Sequence, residues 1–164
     1  MGFRDGELRL VTATTDRLDA VARLFDGYRV FYEQRSDPAG ARAFIGERVA
    51  RGDSHIICCE LDGEMVGFTQ LYPSFSSVRM KPTWILNDLY VDPGARRRGV
   101  ATALMRAARA HAEATGAAYL TLETHRENTP AQAVYVEEGW TRDDEFIHFS
   151  IEVPVEASQT GETT

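Results

Sequence analysis

The sequence predicts an α/β fold around a mixed sheet, and three observations carry that expectation. The chain has 164 residues, enough for one well-formed core and short for two. Runs with strand alternation are interleaved with runs at helical spacing, hairpins early and a strand, helix, strand, helix, strand order late. Composition is that of an ordinary globular protein, 43% hydrophobic and 26% charged. A single domain over 1–164 is expected, with its core at 8–153 and a polar tail from Pro154 to Thr164.

LRLVTAT (8–14) alternates and is rich in β formers, which predicts an opening strand. Thr15 or Asp16 can cap the helical run that follows to residue 35, with Leu18, Val21, Ala22, Phe25 and Tyr28 at helical spacing. Ser36-Asp37-Pro38 breaks it, and a second helix is expected over 39–50. HIICCEL, Asp62-Gly63 and EMVGFTQLY read as a hairpin, because the dipeptide suits a turn with positive φ. A polar loop is expected at 73–82, PSFSSVRMKP, and it is a candidate for ligand contacts. TWILNDLYV is the next strand. Val100, Leu104, Ala108 and Ala112 give the following helix an apolar face, and Gly116 stops it. AYLTLETH (118–125) is then a strand, Thr129-Pro130 opens a short helix that Gly139 ends, and FIHFSIEV (146–153) is expected to close the sheet.

Several functions are disfavoured by residue chemistry alone. Twenty-five acidic residues against 18 basic ones give a net charge of −7, the wrong sign for gripping nucleic-acid phosphates. No stretch approaches the length of a membrane span, and MGFRDGELRL lacks the apolar core of a signal peptide, so a cytoplasmic protein without a membrane partner is expected. Cys58 and Cys59 are adjacent on a strand, where side chains point to opposite faces, so no disulfide is expected. The four histidines show none of the usual zinc spacings, and no metal is expected.

Against this acidic background, ARRRGVATALM (95–105) places Arg96, Arg97 and Arg98 side by side, between a strand and a helix N-terminus. Free N–H groups and the helix dipole make such a junction an anion site. Gly99 and Ala101 leave room for phosphate oxygens to approach the backbone. A Walker loop would need a lysine after its glycines, and the single lysine is Lys81. A dinucleotide fold would need three spaced glycines early in a strand-turn-helix unit.

Arg96, Gly99 and Ala101, following LNDLYVDP, together with Asn128, Ala131, Tyr135, Gly139 and Trp140 in NTPAQAVYVEEGW, resemble the two signature segments of the GNAT superfamily of acetyl-CoA-dependent N-acetyltransferases. The motif resemblance covers 84–140. Within that superfamily, LNDLYVD and NTPAQAVY look most like the yeast histone and polyamine acetyltransferases and the diamine acetyltransferases. The resemblance implies a mixed, mostly antiparallel sheet of about seven strands flanked by about four helices. It also implies acetyl-CoA as co-substrate, a small-molecule amine or protein lysine as acceptor, and a homodimer as a common assembly.

Residue roles follow from the resemblance. Backbone N–H groups of Arg97, Arg98, Gly99, Val100, Ala101 and Thr102 would hold the CoA pyrophosphate, with Arg96 beside them. The backbone of Leu89, Tyr90 and Val91 would pair with the pantetheine arm, and a main-chain N–H near Val91 would bind the acetyl oxygen as it becomes an oxyanion. Asn128 would hydrogen-bond the pantetheine, with Ala131 beside it, and Tyr135 would protonate the departing thiolate. A primary amine of pKa about 10.4 arrives protonated and needs a base. Diamine acetyltransferases place a glutamate at the position of Asn87, which cannot act as one, so Asp88, the nearest carboxylate, is the candidate base, with Glu33, Glu123 and water as alternatives. Tyr28, Tyr32, Glu33 and Asn87 would line the acceptor wall, an aromatic and acidic surface suited to a cation.

The same residue types have ordinary uses. An arginine triplet can be a solvated loop, a tyrosine a core residue, and an aspartate a structural hydrogen-bond acceptor. A noncatalytic acyl-CoA-binding module is the rival reading, since it would carry the same loop.

Overall fold

A computed structural model describes residues 6–154, so the polar tail from 155 onward lies outside them. Strands β1 (Leu8–Thr12), β2 (His55–Leu61), β3 (Glu64–Ser76), β4 (Lys81–Val91) and β5 (Leu120–Leu122) form one mixed sheet in that spatial order. The first four are antiparallel neighbours and β5 runs parallel to β4. Helices α1 (Leu18–Phe31) and α2 (Pro38–Arg51) cover one face. Helices α3 (Val100–Ala114) and α4 (Thr129–Glu137) cover the other. The sheet therefore has two cores. Leu24, Phe25, Ile45, Cys58 and Phe68 build the first, and Cys59, Leu71, Leu86, Leu104 and Met105 the second. Adjacent cysteines serving opposite cores is strand alternation expressed directly, and both thiols are free. No helix among the described residues is long and apolar enough to cross a membrane.

The periodic runs become the expected elements, with local corrections. A 3-10 turn at Thr15–Arg17 precedes α1, which ends at Phe31 rather than reaching residue 35. The cause is Asp26, which accepts from Ser36 Oγ at 2.6 Å and from the Asp37 N–H at 2.8 Å and draws the following chain back onto the helix. Asp37 then caps α2 through the Gly40 N–H at 2.9 Å, with Pro38 at the first turn. Gly116, at φ 70°, closes α3 as expected.

The segment 73–82 is not a loop. β3 and β4 stay paired out to Ser76 and Lys81, leaving only a tight turn. Pro73 does not interrupt the ladder, because β2 begins at His55, opposite Leu71, and beyond that point β3 is an edge where a missing N–H costs nothing.

The sheet has five strands among the described residues, not about seven, and β5 is three residues long instead of eight. The expected strand at 146–153 does not form. Its alternation is real, but so short an edge strand offers few ladder partners, and Phe146, Ile147, Phe149, Ile151 and Val153 remain exposed. Local β propensity cannot make a strand without a neighbour to pair with.

At the C-terminal end of α3, His111 stacks on His55 with ring centroids 3.6 Å apart, and Trp84 meets His111 edge-on. Burial, then the neighbouring His111, pushes the His55 imidazole down to about 4. The unfolded chain therefore takes up this proton first. The stabilisation from His55 is present above about pH 6.5 and is lost as pH falls towards 4, by about 1–2 kcal/mol once solvent screening at this half-buried site is allowed for. Denaturant midpoints across that range should fall in the wild type and fall less in His55→Phe, which keeps an aromatic ring on His111.

Candidate active site

β4 and β5 are paired only over Trp84–Leu86 and Leu120–Leu122. Beyond Leu86 the two segments part. One edge of β4 from Asn87 to Val91 is therefore left without a strand neighbour, while β3 continues to hold the other edge. The hollow beside it, about 480 Å³, is lined by Tyr28, Tyr32, Ile85, Leu86, Asn87, Glu123, Thr124 and His125. An open strand edge facing a hollow can accept an extended, amide-bearing ligand as an additional strand.

The parting coincides with a bulge. Leu86 pairs with Leu71 but Asp88 pairs with Gln70, so Asn87 is an extra residue on β4. Its consequence is a change of side-chain direction. Leu86 belongs to the core under α3, whereas Asp88 turns to the α1 face. There it is 3% exposed. Gln70 Nε2 donates to Asp88 Oδ2 at 2.5 Å and Asn87 Nδ2 to Oδ1 at 2.9 Å. Gln70 is itself fully buried, and its Oε1 accepts from Ser54 Oγ at 2.9 Å. The Tyr28 hydroxyl donates to the neighbouring Asn87 main-chain carbonyl at 3.4 Å. Burial holds the Asp88 carboxyl above the usual carboxylate range, although Gln70, Asn87 and Tyr28 each oppose that shift. The result is a carboxylate held by neutral donors and readily protonated. Sequence reasoning singled out Asp88 but missed Gln70 and Ser54.

α4 carries Tyr135, whose hydroxyl lies near Thr124 and Tyr32, both residues of the wall. Burial raises the phenol above its usual range, so it stays protonated at neutral pH and can donate. Ala131 sits one turn before it on α4. Asn128 is the backbone N-cap of α4, with no side-chain cap bond, leaving its amide available.

The arginine loop lies at the far end of β4. The first helical bond of α3 runs from the Ala103 N–H to the Gly99 carbonyl, so the N–H groups of Val100, Ala101 and Thr102 precede the ladder and are free for an anion. Arg97 and Gly99 are both left-handed, at φ 60° and 80°, which curls the loop. Three arginines have three fates. Arg96 Nε donates to the Val91 carbonyl at 3.3 Å and its guanidinium covers the Phe31 ring, which makes it a strut. Arg98 faces a second hollow with Asp62, Glu64 and Asp92. Arg97 is exposed.

Gly67 fixes this corner. A Cβ there would lie 2.9 Å from Val100 Cγ1 and 3.0 Å from the Tyr90 carbonyl oxygen. Gly67→Ala should therefore destabilise the fold by about 1–3 kcal/mol, read from denaturant midpoints, because backbone on one side cannot yield. Tyr90 directs its side chain away, onto α1, where Gly27 leaves space for its hydroxyl.

Two expected parts of the acceptor site lie away from this hollow. Glu33, at φ 62° and exposed beyond α1, is not part of the wall. The 73–82 hairpin projects from the opposite end of β4 and does not reach the hollow. Glu123 does line it, with a side chain 82% exposed and His148 Nδ1 at 3.8 Å.

The acetyltransferase (GNAT) family model matches residues 19–140. An uncharacterized N-acetyltransferase, YhfO, of Bacillus subtilis (strain 168) is 46% identical over 142 residues, spanning 87% of this chain and 95% of its own length. The crystal structure of a probable acetyltransferase superposes with a TM-score of 0.84 at 41% identity, covering 90% of this chain and 99% of that one. The fold is also that of the aminoglycoside N-acetyltransferase AAC(6')-Iy in complex with CoA, with TM-score 0.75, 19% identity and coverage of 93% and 100%. A sheet that parts at a β4 bulge, a curled loop at the start of α3 and a match across most of the chain agree: this protein belongs to the acetyltransferase (GNAT) family and is an N-acetyltransferase.

Proposed function

We propose that the chain transfers acetyl from acetyl-CoA to a primary amine by direct attack in a ternary complex, with no covalent enzyme intermediate. The observation that carries this reading is the splay of β4 from β5. It leaves an open backbone edge along one hollow, with the Tyr135 phenol near Thr124 of its wall and the Asp88 carboxyl buried next to Asn87.

Each group has a task there. The N–H groups from Arg97 to Thr102 take the pyrophosphate of CoA, and the open edge of Leu89, Tyr90 and Val91 takes the pantetheine, helped by Asn128. The Val91 region supplies the N–H for the acetyl oxygen as negative charge develops. Tyr135 returns a proton to the leaving thiolate. Asp88, tied to the hollow's wall through Asn87, is the base, in preference to Glu33, which is exposed beyond α1, and Glu123, which is solvent-exposed.

The acceptor we infer is a cationic amine, as in the yeast histone and polyamine branch or the aminoglycosides. Tyr28 and Tyr32 provide aromatic faces and Glu123 a negative rim. One domain over 1–164, a homodimer and a cytoplasmic location complete the reading.

The test is CoA thiol release from acetyl-CoA across polyamines, aminoglycosides, amino acids and a lysine-rich peptide. Turnover with one class supports the transfer reading and names the acceptor. A melting temperature raised by acetyl-CoA with no turnover on any amine would overturn it in favour of an acyl-CoA-binding sensor.

A further inference from the structure

An amide side chain carries its donor and its acceptor on opposite sides, and the side that faces a ligand depends on what holds the other. At Asn87 the holder is the buried Asp88 carboxylate. Asn87 Nδ2 donates to Asp88 Oδ1 at 2.9 Å, so the donor end is directed at the carboxylate and the carbonyl end, Oδ1, away from it. The residue is exposed on the wall of the hollow. Its main-chain carbonyl is engaged separately, accepting from the Tyr28 hydroxyl at 3.4 Å, which ties the bulge to α1. Turning the amide over would set Oδ1 against an ionised carboxylate, two acceptors with no proton between them.

The carboxylate is fixed in its turn. Gln70 Nε2 donates to Asp88 Oδ2 at 2.5 Å, and Ser54 Oγ donates to Gln70 Oε1 at 2.9 Å. Asp88 is 3% exposed and Gln70 fully buried, so water does not compete for these bonds. Two amides thus point N–H groups at one anion. The oxygen of the inner amide is taken up by Ser54, and that of the outer one is left for the hollow.

We propose that Asn87 Oδ1 receives an N–H of the acceptor amine, and that Asp88, Gln70 and Ser54 are the positioning residues that keep this oxygen turned into the hollow. This deepens, and rests on, the amine-transfer reading. It makes the site selective for a nitrogen that carries hydrogen. A quaternary ammonium offers the same charge to the aromatic faces of Tyr28 and Tyr32 but has nothing to donate. The lock holds while Asp88 is ionised, the state in which a base must also meet the amine. Once protonated, the carboxyl can itself donate, and the amide is free to turn. Gln70 favours the ionised state by its donation. The other groups facing Asp88 are the phenols of Tyr28 from α1 and Tyr72 from β3. Arg48 of α2, which acts on Tyr72, is paired with Asp53 at 3.2 Å.

The test joins a binding comparison to a spectrum that needs no acceptor. The panel amine that turns over serves as substrate, and the same amine with its reactive nitrogen trimethylated serves as competitive inhibitor. Asn87→Leu, close to isosteric, should raise KM for the amine about tenfold and change the inhibition constant of the trimethylated form less than about twofold. Gln70→Met should show the same selective loss on the acid side of the Asp88 titration and regain affinity on the alkaline side, where ionisation restores the lock. Ser54→Ala should act in the same direction more weakly, and it guards against a Gln70 variant that fails to fold. By NMR of the protein without acceptor, the Asn87 side-chain N–H signals should move together with the Asp88 carboxyl carbon as it titrates, and at higher pH in Gln70→Met than in wild type. Equal losses for the amine and its trimethylated form in Asn87→Leu make Asn87 a wall and overturn the proposal. So do Asn87 amide signals that ignore the Asp88 titration. In either case the transferase reading still stands. Absence of turnover with every panel amine removes that reading and the proposal with it.

Discussion

Tyr135→Phe is expected to lower kcat by about a hundred- to a thousandfold while leaving the dissociation constant for CoA nearly unchanged. The phenol lies near Thr124 of the hollow's wall, and burial keeps it protonated through the neutral range. Removing one oxygen leaves the ring packed near Trp140, centroids 6.3 Å apart, so α4 should stay in place. The loss therefore falls on the step in which the thiolate departs. Steady-state kinetics with the panel amine, set beside a CoA titration by calorimetry, separates the two quantities. An equal loss in both would assign Tyr135 to binding and leave the leaving group to be protonated by water.

The second large effect concerns stability. Phe68→Ala should destabilise the protein by about 3–5 kcal/mol. Phe68 is fully buried in β3, and its ring meets Phe25 and Tyr28 in edge-on contacts at 6.3 and 6.1 Å. Truncation would open a cavity under α1 that the sheet cannot close, because β2 and β4 hold β3 on both sides. Urea unfolding measures the loss. Tyr28 rests on this ring, so activity should also fall beyond what the remaining folded fraction explains.

Elements whose signals are local were legible in the sequence. Asp62-Gly63 is a turn because its residues tolerate positive φ, and they adopt it. Gly99 and Gly116 bound α3 for the same reason. The loop and the α4 segment were legible as a pair because both sit at helix starts, where spacing is rigid. What could not be read depends on partners. The strand expected at 146–153 has the right alternation and no sufficient ladder, and Pro73 looks like a breaker until β2 is seen to end beside it. The bulge at Asn87 is invisible in β4 alone, since register belongs to two strands. Gln70 and Ser54 carry no motif, because a buried glutamine and an exposed one are the same letter.

That single extra residue makes β4 sensitive to counting. Deleting Asn87 would restore an unbroken ladder, with Leu86 still opposite Leu71 and Asp88 still opposite Gln70, so every side chain would keep its face. What would go is the local bend at the point where β4 parts from β5. Removing a residue on either side of the bulge is different, because the residues beyond it would change faces and carry a carboxyl beneath an apolar layer. The bulge thus makes this one position of β4 the place where a change of length alters the strand's path and not its pattern of faces.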